Sequence, residues 1–274
     1  MEVFRMTGVV KIGGAPGNRL EPLVDELAAR WAAGERWVLV HGASGVMNEL
    51  CAERGVEVRM VTSPSGYRSR FVGERERELF REAALAYGAK ITAMLEARGV
   101  KACQLDPEKQ RFATAKRKDF LRESVNGRMR LLRGNYSGTV TALETEAVQT
   151  ALDEGALPVI PPLAADSELG ISLNIDGDRL AAQTAAALGA EQLFILSNVP
   201  GLMKDINDEG SLIKKGTLSQ WELIENYAQG NMKRKLVACR EALELGVSSV
   251  RLADGRAGRP VAQALEGAST WLVR

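Results

Sequence analysis

The chain has 274 residues, a formal net charge of +1, 45% hydrophobic residues and 26% charged residues. This length can bury a large core in one domain or two lobes, and the balanced charge favours no class of partner. No apolar run approaches the ~20 residues of a membrane span and no signal peptide is recognisable, so we expect a cytoplasmic protein without membrane contact. Three scattered cysteines and a single histidine, His41, exclude multi-histidine zinc sites.

Apolar runs alternate with helical patterns along most of the chain. The predicted strands cover residues 9–12, 37–40, 56–62, 101–105, 158–162, 192–197, 250–253 and 270–273. The predicted helices cover about 20–33, 46–54, 74–97, 139–154, 178–188, 218–228 and 232–245. This alternation predicts an α/β sandwich around a mostly parallel sheet.

Two segments depart from that alternation. Residues 110–136 contain β-like stretches on both sides of Asn126-Gly127, which predicts an inserted antiparallel β-hairpin with a type I′ turn. The stretch near 161–168 is rich in proline and aspartate. It predicts a boundary between an N-terminal lobe, residues 1–165, and a C-terminal lobe, residues 166–274.

The first predicted strand runs directly into a glycine-rich loop. Lys11 lies inside this apolar strand, and an amphipathic helix follows the three glycines of the loop, Gly13, Gly14 and Gly17. A strand, a glycine loop and a helix aim backbone N–H groups at an anion, and a lysine adds a mobile positive charge. This pattern predicts a phosphate site, with a tight turn and a snorkelling lysine as the alternative.

The second predicted strand ends in a similar loop, His41-Gly42-Ala43-Ser44. Two such loops on one parallel sheet would converge at its carboxyl edge, where ligands of open α/β sheets bind. The spacing is not G-x-S-x-G, so a hydrolase pair of Ser44 and His41 is not favoured. His41 serves equally well as a buried residue that closes the strand.

Polar side chains precede and follow predicted strands elsewhere in the chain. Arg68 and Arg70 lie on a loop that suits carboxylate recognition or simple solvation. Asp176 and Asp178 flank a glycine ahead of an alanine-rich helix, and with Asn174 they exceed what a helix cap needs. Residues 197–202 form a third loop at a strand end, suited to a nucleotide.

A helix predicted to begin near Asn231 places three cations in its first turn, Lys233, Arg234 and Lys235. Each cation is disfavoured there by ~0.3–1 kcal/mol because the helix dipole is positive at that end. An anion at this turn would remove the penalty, and a polyphosphate would supply one. With glycine N–H groups and lysines from both halves, the chain has the parts for phosphoryl transfer without a Walker loop.

These motifs resemble those of the amino acid kinase family, specifically its acetylglutamate kinase branch. The resemblance covers nearly the whole chain and rests on residues 11–14, 41–44, 174–178 and 230–235. Residues 13–18, 62–67, 232–235 and 253–256 look more like a sub-branch that phosphorylates 2-aminoadipate or glutamate attached to a small acidic carrier protein. The resemblance implies a three-layer αβα fold, an ATP- and Mg²⁺-dependent kinase that makes an acyl phosphate, and a homodimer.

The resemblance also implies roles for single residues. Lys11 and Lys235 would stabilise the transferring phosphoryl group, and Asp178 would hold both lysines in place. The backbone N–H groups of Gly13, Gly14, Gly42 and Ser44 would donate hydrogen bonds to phosphate oxygens. The acceptor substrate would contact Ala43, Ser44, Arg70 and Asn174. The ATP site would comprise Ser197, Asn198, Gly201, Leu202, Asp205 and Lys233, with no protein ligand to a metal. The sequence departs from the family pattern at Ala43, where glycine is usual, at Asp176 and at Asn231.

The predicted hairpin is strongly basic. Residues 109–133 contain nine basic and two acidic side chains, a local charge of +7 in a chain of net +1. This charge favours an acidic carrier protein as partner, docked on Lys116, Arg117, Lys118, Arg128 and Arg130. A solvated face is the alternative, and nucleic acid is not expected because stacking aromatics are sparse. Two further alternatives are an acetylglutamate kinase acting on free N-acetyl-L-glutamate and a non-catalytic amino-acid or nucleotide sensor.

Overall fold

The computed structural model describes residues 8–15, 17–64, 66, 68–125 and 128–274. The strands are β1 (Gly8–Ile12), β2 (Trp37–His41), β3 (Met60–Thr62), β4 (Arg68–Arg70), β5 (Ala102–Gln104), β6 (Ala113–Arg117), β7 (Phe120–Val125), β8 (Arg128–Arg133), β9 (Gly138–Leu143), β10 (Leu157–Ile160), β11 (Leu163–Asp166), β12 (Ser172–Asn174), β13 (Gln192–Ser197), β14 (Lys215–Thr217), β15 (Ser249–Asp254) and β16 (Ser269–Val273). The helices are α1 (Leu20–Ala32), α2 (Ser44–Glu53), α3 (Glu74–Glu96), α4 (Pro107–Gln110), α5 (Glu146–Asp153), α6 (Gly177–Ala187), α7 (Trp221–Asn226), α8 (Asn231–Glu244) and α9 (Pro260–Leu265). Within these ranges, every helix is too short or too polar to span a bilayer.

An eight-stranded sheet with the order β14-β16-β15-β13-β1-β2-β10-β5 forms the centre of the fold. The strands from β15 to β5 are parallel, and β16 pairs antiparallel with β15. A smaller sheet has the order β12-β11-β6-β9, and β3 with β4 and β7 with β8 form two separate ribbons. The main sheet is therefore mostly parallel, as predicted.

Side chains of the central strand β1 alternate between two helical layers. Val10 and Ile12 pack with residues of α1, α3 and α9, whereas Val9 packs with residues of α5, α6 and α8. Because alternate residues of a strand share a face, Lys11 points to the same layer as Val9, toward α6. The three-layer αβα sandwich is thus confirmed, and its geometry turns the buried lysine toward the N-terminus of α6.

Three element predictions need correction. The helix predicted over 139–154 is wrong over its first part, since residues 138–143 form β9, which pairs antiparallel with β6. Thr139, Val140 and Thr141 are β-branched and favour a pleated strand. The strand predicted over 56–62 forms only at Met60–Thr62, in the ribbon with β4. The helix predicted over 218–228 is reduced to α7 after a 3₁₀ turn.

The inserted hairpin is present as β7 and β8, paired antiparallel from Phe120 with Arg133 to Val125 with Arg128. Its Asn126-Gly127 turn lies outside the described residues. The predicted lobe boundary after residue 165 falls within β11, a fully buried strand that pairs with β6 and β12. The division into two lobes stays a prediction, and the stretch chosen for it is not an exposed linker.

Candidate active site

A cavity of about 940 Å³ opens at the carboxyl edge of the large sheet. Its walls come from the loops after β1, β2 and β13, the β3–β4 ribbon and the N-termini of α2, α6 and α8. Parallel strands end at this edge, so side chains that are distant in sequence meet here. Among the residues predicted to act, the lining includes Lys11, Gly13, Gly14, Gly42, Ala43, Ser44, Arg70, Asn174, Asp178, Ser197, Asn198 and Lys235.

Two lysines and one aspartate form the charged centre of the cavity. Lys11 Nζ lies 2.5 Å from Asp178 Oδ1, and Lys235 Nζ lies 3.0 Å from Asp178 Oδ2. The side chain of Lys11 is only 8% exposed, that of Lys235 14% and that of Asp178 11%. They come from β1, the first turn of α6 and the first turns of α8, so packing of α6 and α8 on the sheet creates the cluster.

The cluster places two amines against one carboxylate. Burial alone would raise the pKa of the Asp178 carboxyl, but the charges of Lys11 and Lys235 outweigh burial and hold that pKa well below its usual range. Burial also lowers the pKa of the Lys11 amine from its ordinary value of 10.5, and Asp178 opposes that change. Because these side chains have little contact with solvent, two lysines facing one aspartate can stabilise additional negative charge brought into the cavity.

The two glycine loops after β1 and β2 touch through their backbones. A Cβ atom built on Gly14 would lie 2.3 Å from the carbonyl carbon of Gly42, and one built on Gly42 would lie 2.4 Å from the nitrogen of Gly14. Gly45 donates its N–H to the Gly14 carbonyl at 2.6 Å, which fixes the first loop on the start of α2. The N–H groups of Gly13 and Gly42 donate to the carbonyls of Leu196 at 3.1 Å and Ile12 at 2.9 Å, so these two predicted phosphate donors are already engaged within the fold. Among the described residues, no acceptor takes the N–H of Gly14, Ala43 or Ser44, so these groups remain for a ligand.

The departure at Ala43 has a simple explanation. Its φ of −134° is a backbone conformation that any residue adopts. Glycine is therefore not required at this position.

We expect Gly14→Ala and Gly42→Ala each to lower the free energy of unfolding by ~1–3 kcal/mol, because the new methyl group overlaps backbone atoms that have no room to move. Turnover should fall at least ~10-fold in either variant, since the free N–H groups lie on these loops. Urea denaturation and initial rates measure both effects. Gly258→Ala is the matched control, because Gly258 is exposed and has open space around its Cα; equal behaviour of all three variants would contradict the close approach.

Two cations at the start of α8, Arg234 and Lys235, form ion pairs with aspartates of α6 and its N-cap. Arg234 Nη2 lies 2.6 Å from Asp176 Oδ2, while Asp176 Oδ1 accepts the N–H groups of Asp178 and Arg179 as the N-cap of α6. Arg234 also donates to the carbonyl of Arg68 on β4 at 3.3 Å. The anion expected at this turn is thus partly supplied by Asp176 and Asp178, and Asp176 joins the two helices beside the lysine cluster.

The β3–β4 ribbon and the base of the hairpin contribute further cations. Arg68, Arg70 and Lys118 line the cavity, and no carboxylate among the described residues forms an ion pair with them. Arg70 instead donates to the side-chain oxygen of Asn48. Asn174 lies nearby, held by a 3.1 Å bond from its N–H to the carbonyl of Tyr136. This side of the cavity is suited to an acceptor with more than one carboxylate.

Several predicted site residues lie outside the cavity lining. Gly201 and Leu202 are buried against β16, where the Leu202 N–H donates to Thr270 Oγ1 at 2.8 Å. Asp205 and Lys233 are exposed. The structure therefore brings Ser197 and Asn198 to the cavity and leaves the other four outside its lining. The docking residues outside the lining are Lys116, Arg117, Arg128 and Arg130.

His41 does not act with Ser44. It is fully buried, and its Nδ1 donates to the carbonyl of Gly42 at 3.1 Å while its ring packs against Tyr87. Burial lowers the pKa of His41 to about 4, so the ring is neutral at physiological pH. The alternative that His41 closes the strand agrees with this geometry.

Sequence reasoning missed Asn18 as a site residue. Its Nδ2 donates to the carbonyl of Gly13 at 2.9 Å, and its Oδ1 lies against Gly255. Asn18 lines the cavity and ties the first glycine loop to the loop after β15. The only available signal was its place one residue beyond Gly17 in the glycine-rich stretch.

The comparisons with known proteins agree with this geometry. A sequence model of the amino acid kinase family matches residues 6–254. LysW-aminoadipate kinase of Deinococcus radiodurans is 42% identical over 266 residues, covering 96% of this chain and 90% of that protein. A protein of the same name from Thermus thermophilus is 35% identical, over 96% of this chain and 98% of its own length.

Solved structures share the fold at lower identity. N-acetylglutamate synthase of Neisseria gonorrhoeae, in complex with coenzyme A and N-acetyl-glutamate, superposes with a TM-score of 0.80 at 24% identity, and this chain spans 60% of its length. Giardia carbamate kinase superposes with a TM-score of 0.68 at 15% identity, over 98% of this chain and 99% of its own. At these identities the likeness concerns the fold alone.

Proposed function

Because this chain belongs to the amino acid kinase family, we propose that it phosphorylates the side-chain carboxylate of 2-aminoadipate or glutamate linked through its amino group to a small acidic carrier protein of the LysW type. The phosphoryl donor is ATP and the product is an acyl phosphate, for lysine, arginine or related carrier-linked biosynthesis. The observation that carries the proposal is the buried cluster of Lys11, Asp178 and Lys235 at the cavity. The names of the two relatives support the choice of acceptor.

The reaction needs positioning and charge stabilisation more than proton transfer. A side-chain carboxylate has a pKa of ~4.3 and is ionised at neutral pH, so it attacks without a general base. An acceptor oxygen bonds to the γ-phosphorus while the bond to the β–γ bridging oxygen breaks, and ADP leaves with that electron pair. Lys11 and Lys235 stabilise the charge spread over the migrating group, and Asp178 fixes both amines.

The rest of the cavity divides between the two substrates. The free N–H groups of Gly14, Ala43 and Ser44 would bind phosphoryl oxygens. On the acceptor side, Arg70 and Asn174 would hold the carboxylate that does not react. Ser197 and Asn198, at the end of β13, are proposed to contact ATP. Gly201, Leu202, Asp205 and Lys233, which lie outside the cavity lining, belong to the same proposal.

Mg²⁺ fits this chain only as a companion of ATP. Among the described residues, no group of three histidine, cysteine or acidic side chains could hold a metal ion. Mg²⁺ commonly binds through substrate phosphates and waters with few protein carboxylates, where it would neutralise phosphate charge. Asp178 is already engaged by two lysines, so its role is to position amines.

The basic residues at the base of the hairpin are proposed to steer the carrier protein. We expect reversal of Lys116, Arg117 and Lys118 to glutamate to lower kcat/KM for the carrier-linked acceptor at least ~10-fold at low salt, because local positive charge raises the association rate of an acidic partner. The KM for ATP should stay within about twofold. Steady-state kinetics over a range of salt concentrations measures both, and the effect should shrink as salt rises.

A matched control reverses three exposed basic residues elsewhere, Lys90, Lys101 and Arg259, for the same change in net charge. A variant limited to Lys116 and Arg117 separates docking from the direct effect of Lys118 on the cavity. Equal loss in the hairpin and control variants would point to bulk charge and contradict docking. Steep salt-dependent affinity for DNA or RNA would favour the nucleic-acid alternative.

The acceptor is identified by trapping the acyl phosphate with hydroxylamine. With ATP and Mg²⁺, we expect hydroxamate from the carrier-linked amino acid and little from free N-acetyl-L-glutamate. Hydroxamate from the free amino acid alone would favour the acetylglutamate kinase alternative. No product with any acceptor would favour a sensor, although Lys11, Asp178 and Lys235 are all present.

The proposal includes a homodimer in the cytoplasm. The homodimer follows the family resemblance. The location is supported by Cys51, Cys103 and Cys239, which are all free thiols in the structure, as expected in a reducing compartment. Sedimentation of the purified protein tests the homodimer.

A further inference from the structure

Asn135 is a fully buried polar residue in the segment between β8 and β9. Its Nδ2 donates to the carbonyl of Lys118 at 2.8 Å and to Ser137 Oγ at 2.6 Å, and its Oδ1 accepts the N–H of Val72 at 3.2 Å. Its own N–H donates to the carbonyl of Asp119 at 3.2 Å. Only one orientation of the carboxamide satisfies both the Val72 donor and the Lys118 acceptor, so its placement is well determined.

These bonds join three segments that reach the acceptor side of the cavity. Val72 follows the strand that carries Arg70, Lys118 precedes the hairpin, and Ser137 precedes β9. Lys118 and Ser137 both line the cavity. Backbone bonds from Lys118 to Ser137 at 2.8 Å and from Tyr136 to Val72 at 2.7 Å complete the same junction.

The junction extends to the residue expected to hold the acceptor. The carbonyl of Tyr136 accepts the N–H of Asn174 at 3.1 Å. The ring of Tyr136 lies 4.8 Å from the guanidinium of Arg117. The buried carboxamide of Asn135 and these backbone bonds together join the hairpin base, the Arg70 strand and the strand that carries Asn174.

A buried carboxamide whose bonding groups are all used is costly to leave unpaired, so the three segments move together or not at all. Charge on the hairpin can attract an acidic protein from any direction. A fixed hairpin base is needed to present the attached amino acid to the lysine cluster in one orientation, because small displacements of a reacting group reduce rates strongly.

We propose that Asn135 is a positioning residue for the carrier-linked acceptor: it fixes the basic hairpin and Lys118 relative to Arg70 and Asn174, and touches neither substrate. This inference rests on the proposed function. It differs from electrostatic docking because Asn135 is uncharged and buried. A residue with a merely structural role would change stability and leave the two KM values in their original ratio.

The test uses Asn135→Asp, which keeps the shape and the bond from Val72 but places an acceptor oxygen against the carbonyl of Lys118, so the bond to the hairpin base is lost. The Ser137 hydroxyl can turn to donate to the new oxygen. Ser137→Ala is a milder variant that loses one bond of the junction. Ser269→Ala is the control, because Ser269 is buried and donates to the carbonyl of Ala264 at 2.9 Å in a different part of the fold. Initial rates are measured well below each variant's melting temperature, with the carrier-linked acceptor and with ATP as the varied substrate.

We expect Asn135→Asp to raise the KM for the carrier-linked acceptor ~10-fold or more and Ser137→Ala to raise it ~3-fold, with the KM for ATP unchanged within twofold. Ser269→Ala should leave both KM values unchanged. An unchanged acceptor KM, or an equal rise for both substrates, would overturn the inference. If Asn135→Asp does not fold, Ser137→Ala decides by the same criterion. Wild-type enzyme that ignores the carrier-linked acceptor would refute the proposed function before any variant is compared.

Discussion

Replacing Lys11 or Lys235 with alanine is expected to lower turnover by ~10²-fold or more while the fold is retained. Each lysine contributes one of the two positive charges held by Asp178 at 2.5 and 3.0 Å. Removing a preorganised group that stabilises transition-state charge costs this much in other enzymes. Removing one lysine leaves Asp178 paired with the other, so no buried charge is left without a partner.

The measurement is kcat under saturating ATP and acceptor, with circular dichroism to verify folding. Lys90→Ala is the control, since Lys90 is exposed on α3 and is not part of the cavity lining. A rate within twofold of wild type for either cluster variant would remove that lysine from the mechanism. A rise in the KM for ATP with kcat unchanged would assign that lysine to nucleotide binding instead.

The second large effect is expected from Asp178→Asn. This change leaves Lys11 and Lys235 as neighbouring buried cations without a counter-charge, and breaking a buried pair in this way costs ~3–5 kcal/mol of unfolding free energy. Burial already lowers the pKa of Lys11, and Asp178 opposes that shift. Without Asp178 the pKa of Lys11 falls further. As the pH is raised, the amine of the variant therefore loses its proton earlier, and residual activity should begin to decline at a lower pH than in wild type.

The pH dependence of stability has a definite sign. The pKa of Asp178 in the folded protein lies below its ordinary value of 3.8, so its ionised form stabilises the fold fully above about pH 4. That contribution is lost as the pH falls through the folded pKa. Urea denaturation of wild type and Asp178→Asn should therefore differ most near neutral pH and converge on strong acidification.

Asp25→Asn provides the matched control, because Asp25 forms an ion pair with Arg98 in which its side chain is 62% exposed. A surface pair of this kind contributes about 0–1 kcal/mol. A loss in Asp178→Asn no larger than in Asp25→Asn would show that the central carboxylate does not compensate the two lysines.

Local sequence patterns predicted most of the strands and helices of the fold. The buried run ending at Ile12 and the glycines after it predicted a strand and a loop, and both occur as expected. The period of apolar residues predicted a helix over about 232–245, and α8 covers Asn231–Glu244. The failures were short segments whose partners are distant in sequence, such as residues 138–143, where pairing with β6 overrides an apparent helical period.

The candidate site was less accessible from sequence. Periodicity gave no reason to connect Lys11 with Lys235. The phosphoryl-transfer hypothesis required lysines from both halves of the chain, and the family resemblance specified this pair. The backbone contact between Gly14 and Gly42 depends on the spacing of β1 and β2 in the sheet, which no local pattern encodes. The pair of Asp176 with Arg234 likewise depends on how α6 packs on α8.

Asn135 illustrates the same limit. Its place after an arginine-rich strand predicts only a polar turn residue. The partners that give it a role, Val72 and Lys118, lie 63 and 17 residues away in the chain. Buried polar junctions of this type become visible only when hydrogen-bond partners are known.

The proposed mechanism requires Lys11 and Lys235 to contact the same phosphoryl group during its transfer. A crystal structure with ADP, Mg²⁺ and an aluminium fluoride mimic of that group tests this most directly. We expect both lysine amines at hydrogen-bonding distance, ~3 Å, from the fluoride ligands, with Asp178 between them. A mimic bound away from either amine, with both lysines still closed on Asp178 and facing protein alone, would contradict it.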